Sequence, residues 1–170
     1  MQTSNSTSPS LATVQQISKN TTSWIGHRTG DSKTYIGGQT LISPAQGKLD
    51  MIEIFFSHIS NDGSVEMTIH SFDPSNKSWG PVQGNSSVSL VKADSGKWIA
   101  FQLNSLNMEK GKTYGFQLHC KDTLIGVGEA AGSFDQPPYS GGQEWAATTE
   151  NQSGNFYSYL SLAFKMELRA

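Results

Sequence analysis

KWIAFQLN (residues 97–104) and KTYGFQLHC (residues 112–120) decide the fold class. In the first run Ile99, Phe101 and Leu103 stand at every second position; in the second, Tyr114, Phe116 and Leu118 do the same. Side chains alternate across a strand, so each run offers one apolar face to a core and one polar face to solvent. LSLAFKMEL (residues 160–168) repeats the pattern, with Leu160, Leu162, Phe164, Met166 and Leu168 on one side and Ser161, Ala163, Lys165 and Glu167 on the other. It predicts a one-sided strand that closes the fold.

Outward from these runs, further short apolar segments alternate with turn signals from Tyr35 onward, and no amphipathic helix is predicted. Strands are expected at 33–42, 49–58, 64–72, 86–91, 98–104, 113–120, 123–128, 143–149 and 157–168. Asn61-Asp62-Gly63, Asp73-Pro74, Asp94-Ser95-Gly96 and Glu109-Lys110-Gly111 supply the fixed or positive φ that turns need. The expectation is an all-β protein, an antiparallel β-sandwich of about nine strands with jelly-roll topology.

The 170 residues suit one domain. Residues 1–10, MQTSNSTSPS, hold almost nothing apolar and are expected to form a flexible tail before a single domain over 11–170. A formal charge of −2 without a basic stripe argues against a nucleic-acid partner. No apolar run approaches the roughly 20 residues that cross a bilayer, so no membrane insertion is expected. Cys120 is the only cysteine, which leaves neither a disulfide nor a thiol set for zinc. His27, His58, His70 and His119 are too dispersed for metal spacing, and the aspartates sit in turns where they bond backbone; no metal or cofactor is expected.

Gly38-Gln39-Thr40, Pro44-Ala45, Gly47-Lys48-Leu49-Asp50, the run Lys97 to Leu103, and Lys110-Gly111-Lys112-Thr113-Tyr114 together resemble a bacterial extracellular jelly-roll module of the carbohydrate-binding kind. The resemblance spans roughly residues 35–168. It implies a carbohydrate-binding or adhesive role, a secreted or cell-surface setting, a glycan or cell-surface polymer as partner with protein contacts as the alternative, and no catalytic set.

The residues themselves offer three candidate sites. The first is the long connection EAAGSFDQPPYSGG (residues 129–142) before Gln143-Glu144-Trp145, a length uncommon without a function. Phe134, Tyr139 and Trp145 offer flat apolar faces to a sugar, and Asp135, Gln143 and Glu144 offer hydrogen bonds to its hydroxyls; Trp79, in another turn-rich connection, offers a further platform. The same aromatics could instead plug the end of the sandwich. The second is a sheet face carrying Trp98 and Gln102, Gln117 and His119, and Glu66 and His70, should those strands be neighbours. The third is Gln117-Leu118-His119, which resembles the Gln-x-His strand of jelly-roll polysaccharide lyases. Arg28 and Arg169 are the only arginines, however, too few for the Arg-rich strand such a site uses, so a binding module is expected rather than an enzyme. Finally, Tyr35-Ile36-Gly37-Gly38-Gln39 and Tyr139-Ser140-Gly141-Gly142-Gln143 echo each other, which predicts that the two segments meet and share a rim.

Overall fold

A computed structural model describes residues 10–170. The expected tail therefore lies outside the described residues except for Ser10, which opens the first strand and pairs with Arg169. The strands in chain order are β1 (Ser10–Gln16), β2 (Thr21–His27), β3 (Thr34–Ile42), β4 (Gly47–Ile59), β5 (Gly63–Asp73), β6 (Ser78–Leu90) and β7 (Lys97–Met108). They continue with β8 (Thr113–His119), β9 (Leu124–Ala131), β10 (Glu144–Thr148), β11 (Asn155–Tyr157), β12 (Leu160–Leu162) and β13 (Phe164–Arg169). All pairings are antiparallel and the protein is a β-sandwich.

One layer runs β7-β4-β13-β1 and the other β6-β5-β8-β3-β10-β11. The pair β2–β9 joins them: β9 bonds to the end of β4 and to β12, while β2 reaches β3 at Gly26 and His27. The inward residues of both layers form one core. Phe101, Tyr114, Phe116, Leu118, Leu162, Phe164, Met166 and Leu168 are all buried in it, as their period-two spacing predicts. Phe116 of one layer meets Phe164 of the other at 5.9 Å between ring centroids.

Thirteen strands replace the expected nine, for identifiable reasons. In β1 only Val14 and Gln16 are buried, and Gln16 is a polar residue in an apolar slot, so alternation is faint. Strand β6 begins at Ser78 rather than Ser86; it is an edge strand bonded only to β5, where a polar sequence and Pro81 are tolerated. The last strand breaks at Ala163, whose N–H bonds to Gly128 of β9 and whose carbonyl faces Phe55 of β4. Ser161 and Ala163, on its polar side in sequence, are buried because β12 packs against β3 and β10.

A second, smaller core covers the outer face of the β6-to-β11 layer. Trp145 stands opposite Gly38 in the β10–β3 ladder and is only 2% exposed. A Cβ on Gly38 would lie 3.0 Å from the Trp145 ring, and one on Gly115 of β8 would lie 2.6 Å from the Trp79 ring. The missing side chains thus leave two depressions that the indoles fill. Trp79 meets Trp145 at 5.0 Å, Phe72 at 5.2 Å and His70 at 5.3 Å, and Phe156 of β11 stacks on Trp79 at 6.4 Å. The Trp145 indole N–H donates to the Ser153 carbonyl at 3.0 Å.

Truncating a buried Trp removes its transfer energy and leaves a cavity, so Trp145→Ala should cost about 3–5 kcal/mol. Urea denaturation measures this, and the near-UV circular dichroism of the Trp79–Trp145 pair should collapse with it; an unchanged midpoint would contradict the packing role.

Candidate binding groove and its buried carboxyl pair

The long connection folds back over the outer layer and walls a groove of ≈ 290 Å³. Pro137, Tyr139 and Ser140 to Gln143 form one side, Thr40, Ile42 and Thr113 line it from β3 and β8, and Phe72, Pro74 and Lys77 form the other side. Asp73 locks that second wall by accepting bonds from the N–H groups of Ser75 (2.9 Å) and Asn76 (3.3 Å). Ser158 completes the lining, which carries a single charged residue, Lys77.

The two echoing segments do meet here. Thr40 N–H donates to the Gln143 carbonyl at 2.9 Å, and Gln143 N–H returns a bond to the Thr40 hydroxyl at the same distance. A Cβ on Gly142 would lie 1.8 Å from the Thr40 carbonyl oxygen, so the contact demands glycine. Both Gln143 and Thr40, the residue immediately after the first segment, face the groove.

The residues singled out in the sequence separate into three groups. Tyr139 and Gln143 line the groove, although Tyr139 is half-buried with its ring edge against Phe164 at 5.4 Å, and burial raises its phenol pKa. Trp145 and Trp79 are removed as platforms because they fill the outer core beneath the loop. Glu144, also expected to meet ligand, is 2% exposed and faces inward beside Gln39. Phe134 is 77% exposed, and Asp135 is exposed next to it in the turn closed by Ser133 and Gln136.

Sequence reasoning missed Tyr157 and Tyr159. Phe134 stands edge-on to Tyr159 at 5.1 Å, and Tyr159 to Tyr157 at 5.8 Å, making an aromatic strip. The segment that places both tyrosines in the strip also gives Ser158 to the groove. The alternation Tyr-Ser-Tyr was the available signal, but a strand drawn across 157–168 absorbed it into the core pattern.

The sheet-face candidate assembles only in part. Glu66 pairs with His119 and Thr68 with Gln117 across β5–β8, beside an open cleft of ≈ 310 Å³. Trp98 and Gln102 lie on β7 in the other layer, so the expected aromatic wall is absent. Trp98 instead packs on Phe55 at 5.4 Å beneath the Lys165 ammonium at 4.0 Å. His119 Nε2 lies 2.9 Å from Gln117 Oε1, and burial lowers its pKa.

Beneath the groove the layers are tied by buried polar groups. Gln39 Oε1 accepts from Leu162 N–H at 3.0 Å and from the Ser161 hydroxyl at 3.4 Å, and Gln16 Nε2 donates to the Leu162 carbonyl at 3.3 Å. Glu144 lies against Glu129 of β9, both buried, and Glu144 Oε1 has no hydrogen-bond partner among the described residues. Burial first, then the bond to Glu129 and its charge, push the Glu144 carboxyl up to about 10.

No protein-family model matches the sequence, and no curated protein matches it. Among solved structures, the chain is similar to the clostridial cysteine protease Cwp84 after propeptide cleavage, with a TM-score of 0.50 and 13% identity over 83% of this chain and 38% of that one. A structure of the cysteine protease and lectin-like domains of Cwp84, a surface layer associated protein of Clostridium difficile, is similar at a TM-score of 0.49 and 13% identity, over 81% of this chain and 34% of that one. A CBM4 structure is similar at a TM-score of 0.33 and 11% identity, over 58% and 68% of the two chains. The chain thus spans less than two fifths of the Cwp84 chains, and what the likeness shows is the fold alone.

The carboxyl pair has a pH consequence. Folded Glu144 keeps its proton up to about pH 10, whereas an unfolded glutamate loses it near 4.5. The pair's contribution is therefore full below the unfolded value and falls as pH rises between the two. Glu144→Gln keeps a donor toward Glu129 without the proton linkage. It should raise stability at neutral pH and flatten the decline from about pH 5 to pH 9, read by urea denaturation across that range; an equal or steeper decline would contradict the shared proton.

Proposed function

We propose that this chain is a non-catalytic, extracellular recognition module that binds glycan at this end of the sandwich, through the groove and the Phe134–Tyr159–Tyr157 strip. The observation that carries the reading is Phe134, an aromatic ring held out to solvent at 77% exposure and propped edge-on by Tyr159. Exposing a phenylalanine forgoes its burial energy, and a sugar's C–H face recovers it on binding. The groove suits the rest of such a ligand: Thr40, Gln143, Ser140 and Ser158 supply neutral donors and acceptors, Ile42, Pro74 and Pro137 supply apolar surface, and Asp135 can accept from a hydroxyl outside it.

A binding role is also favoured over a lyase. Burial disfavours the charged form of His119, and its Nε2 is already engaged by Gln117. Arg169, one of only two arginines, is held by Asp50 in the other layer, so no arginine from it serves to neutralise a substrate carboxylate beside His119.

A glycan array probed with the wild type and with Phe134→Ala and Tyr159→Ala tests the reading. Neither substitution removes a core side chain, so both variants should fold, and both should lose binding by about tenfold or more. Absence of binding across diverse glycans, together with a mass that rises with protein concentration, would favour a protein-contact domain instead.

A further inference from the structure

At the far end of β3 from the groove lies a second concavity, of ≈ 500 Å³, lined by Trp24, Arg28, Tyr35, Ser60 and Leu124. Tyr35 and Ile42 mark the two ends, about 23 Å apart along an extended strand. The volume falls within the roughly 300–1,000 Å³ of small-molecule sites. We propose that this pocket is a separate binding site for a carboxylate-bearing sugar, its ring lying on Trp24 and its carboxylate held by Arg28.

Trp24 is 48% exposed, although every other tryptophan of the chain is at least half-buried in aromatic packing or, for Trp98, covered by Lys165. Its partner across the β2–β9 ladder is Gly126, so no opposing side chain covers it, and only His58 braces the ring, edge-on at 5.6 Å. An indole presented in this way on a pocket wall offers a flat face for the C–H side of a pyranose.

The charge at the pocket is uncommitted. Arg169, the other arginine, is held by Asp50 and Ser105, whereas no carboxylate among the described residues pairs with Arg28. The nearby Asp31 is already engaged by the Tyr35 hydroxyl at 3.2 Å and by Lys33 N–H at 3.3 Å. Lys33 adds a second positive charge, its ammonium 5.7 Å from the Tyr35 ring. A planar guanidinium matches a carboxylate through two parallel hydrogen bonds, which a neutral sugar cannot offer.

Titration calorimetry at low salt, with a glucuronate oligosaccharide and a neutral glucose oligosaccharide of the same length, tests the proposal. The wild type should bind the glucuronate probe about tenfold or more tighter than the neutral one, and Arg28→Gln should remove that preference. Trp24→Ala should weaken glucuronate binding by a similar factor, whereas Val82→Ala, at an exposed side chain of β6 outside both linings, should leave it unchanged. No glucuronate binding by the wild type, equal binding of the neutral probe, or undiminished binding by Arg28→Gln would overturn the proposal. Loss in Phe134→Ala would move the ligand to the groove, which separates failure here from failure of the groove reading.

Discussion

The contact of Trp145 with the bare backbone of Gly38 is the constraint on which the functional end of this protein depends. Strand β10 is only five residues long, and β11 three. Elements that short do not hold themselves in place by hydrogen bonds alone. The indole of Trp145, pressed into the space a side chain would occupy and joined by Trp79, Phe72 and Phe156, fastens both strands to the outer face of the sheet. With them it fastens the end of the long connection that enters β10 and the segment that leaves β11. The groove wall from Pro137 to Gln143 runs directly into β10, and the Tyr157–Tyr159 segment follows directly from β11.

On the inner side of the same strands the chain uses polar groups. Gln39, Ser161 and Gln16 bridge β3, β12 and β1, and Glu144 lies against Glu129 where an apolar pair would have been simpler. Buried polar groups are costly unless bonded, and these meet their partners only in one register. Apolar packing outside and polar bridging inside therefore fix the same segment, so Gln143 lies in the groove while its neighbour Glu144 turns inward.

Much of this was legible in the sequence, and the remainder was hidden for physical reasons. KWIAFQLN and KTYGFQLHC declared their inward faces because large apolar side chains stand at every second position, although in the second run Trp79 also covers Gly115 from outside. The echo of the two Gly-Gly-Gln segments marked a true meeting, since Gly142 is required by the close approach of Thr40, the residue that follows Gln39, while Gly38 makes room for Trp145. Trp145 was misread as a platform because an indole that binds ligand and one that fills a depression look alike until the opposite residue is known to be glycine. Gln16 and Ser161 were hidden for the converse reason: a buried amide or hydroxyl with a partner reads as a solvent position. Tyr157 and Tyr159 were concealed by the apolar run that follows them.

The account rests on the end of the sandwich built by β10, β11 and the long connection being the glycan-binding surface. Titrating an isotopically labelled sample with the glycan selected on the array, and following backbone amide and indole resonances, tests this most directly. The account predicts that Ser140 to Gln143 and Phe134, Tyr157 and Tyr159 shift first, while the buried Trp145 indole moves little. Shifts confined to Glu66, Gln117 and His119 on the β5–β8 face would contradict it.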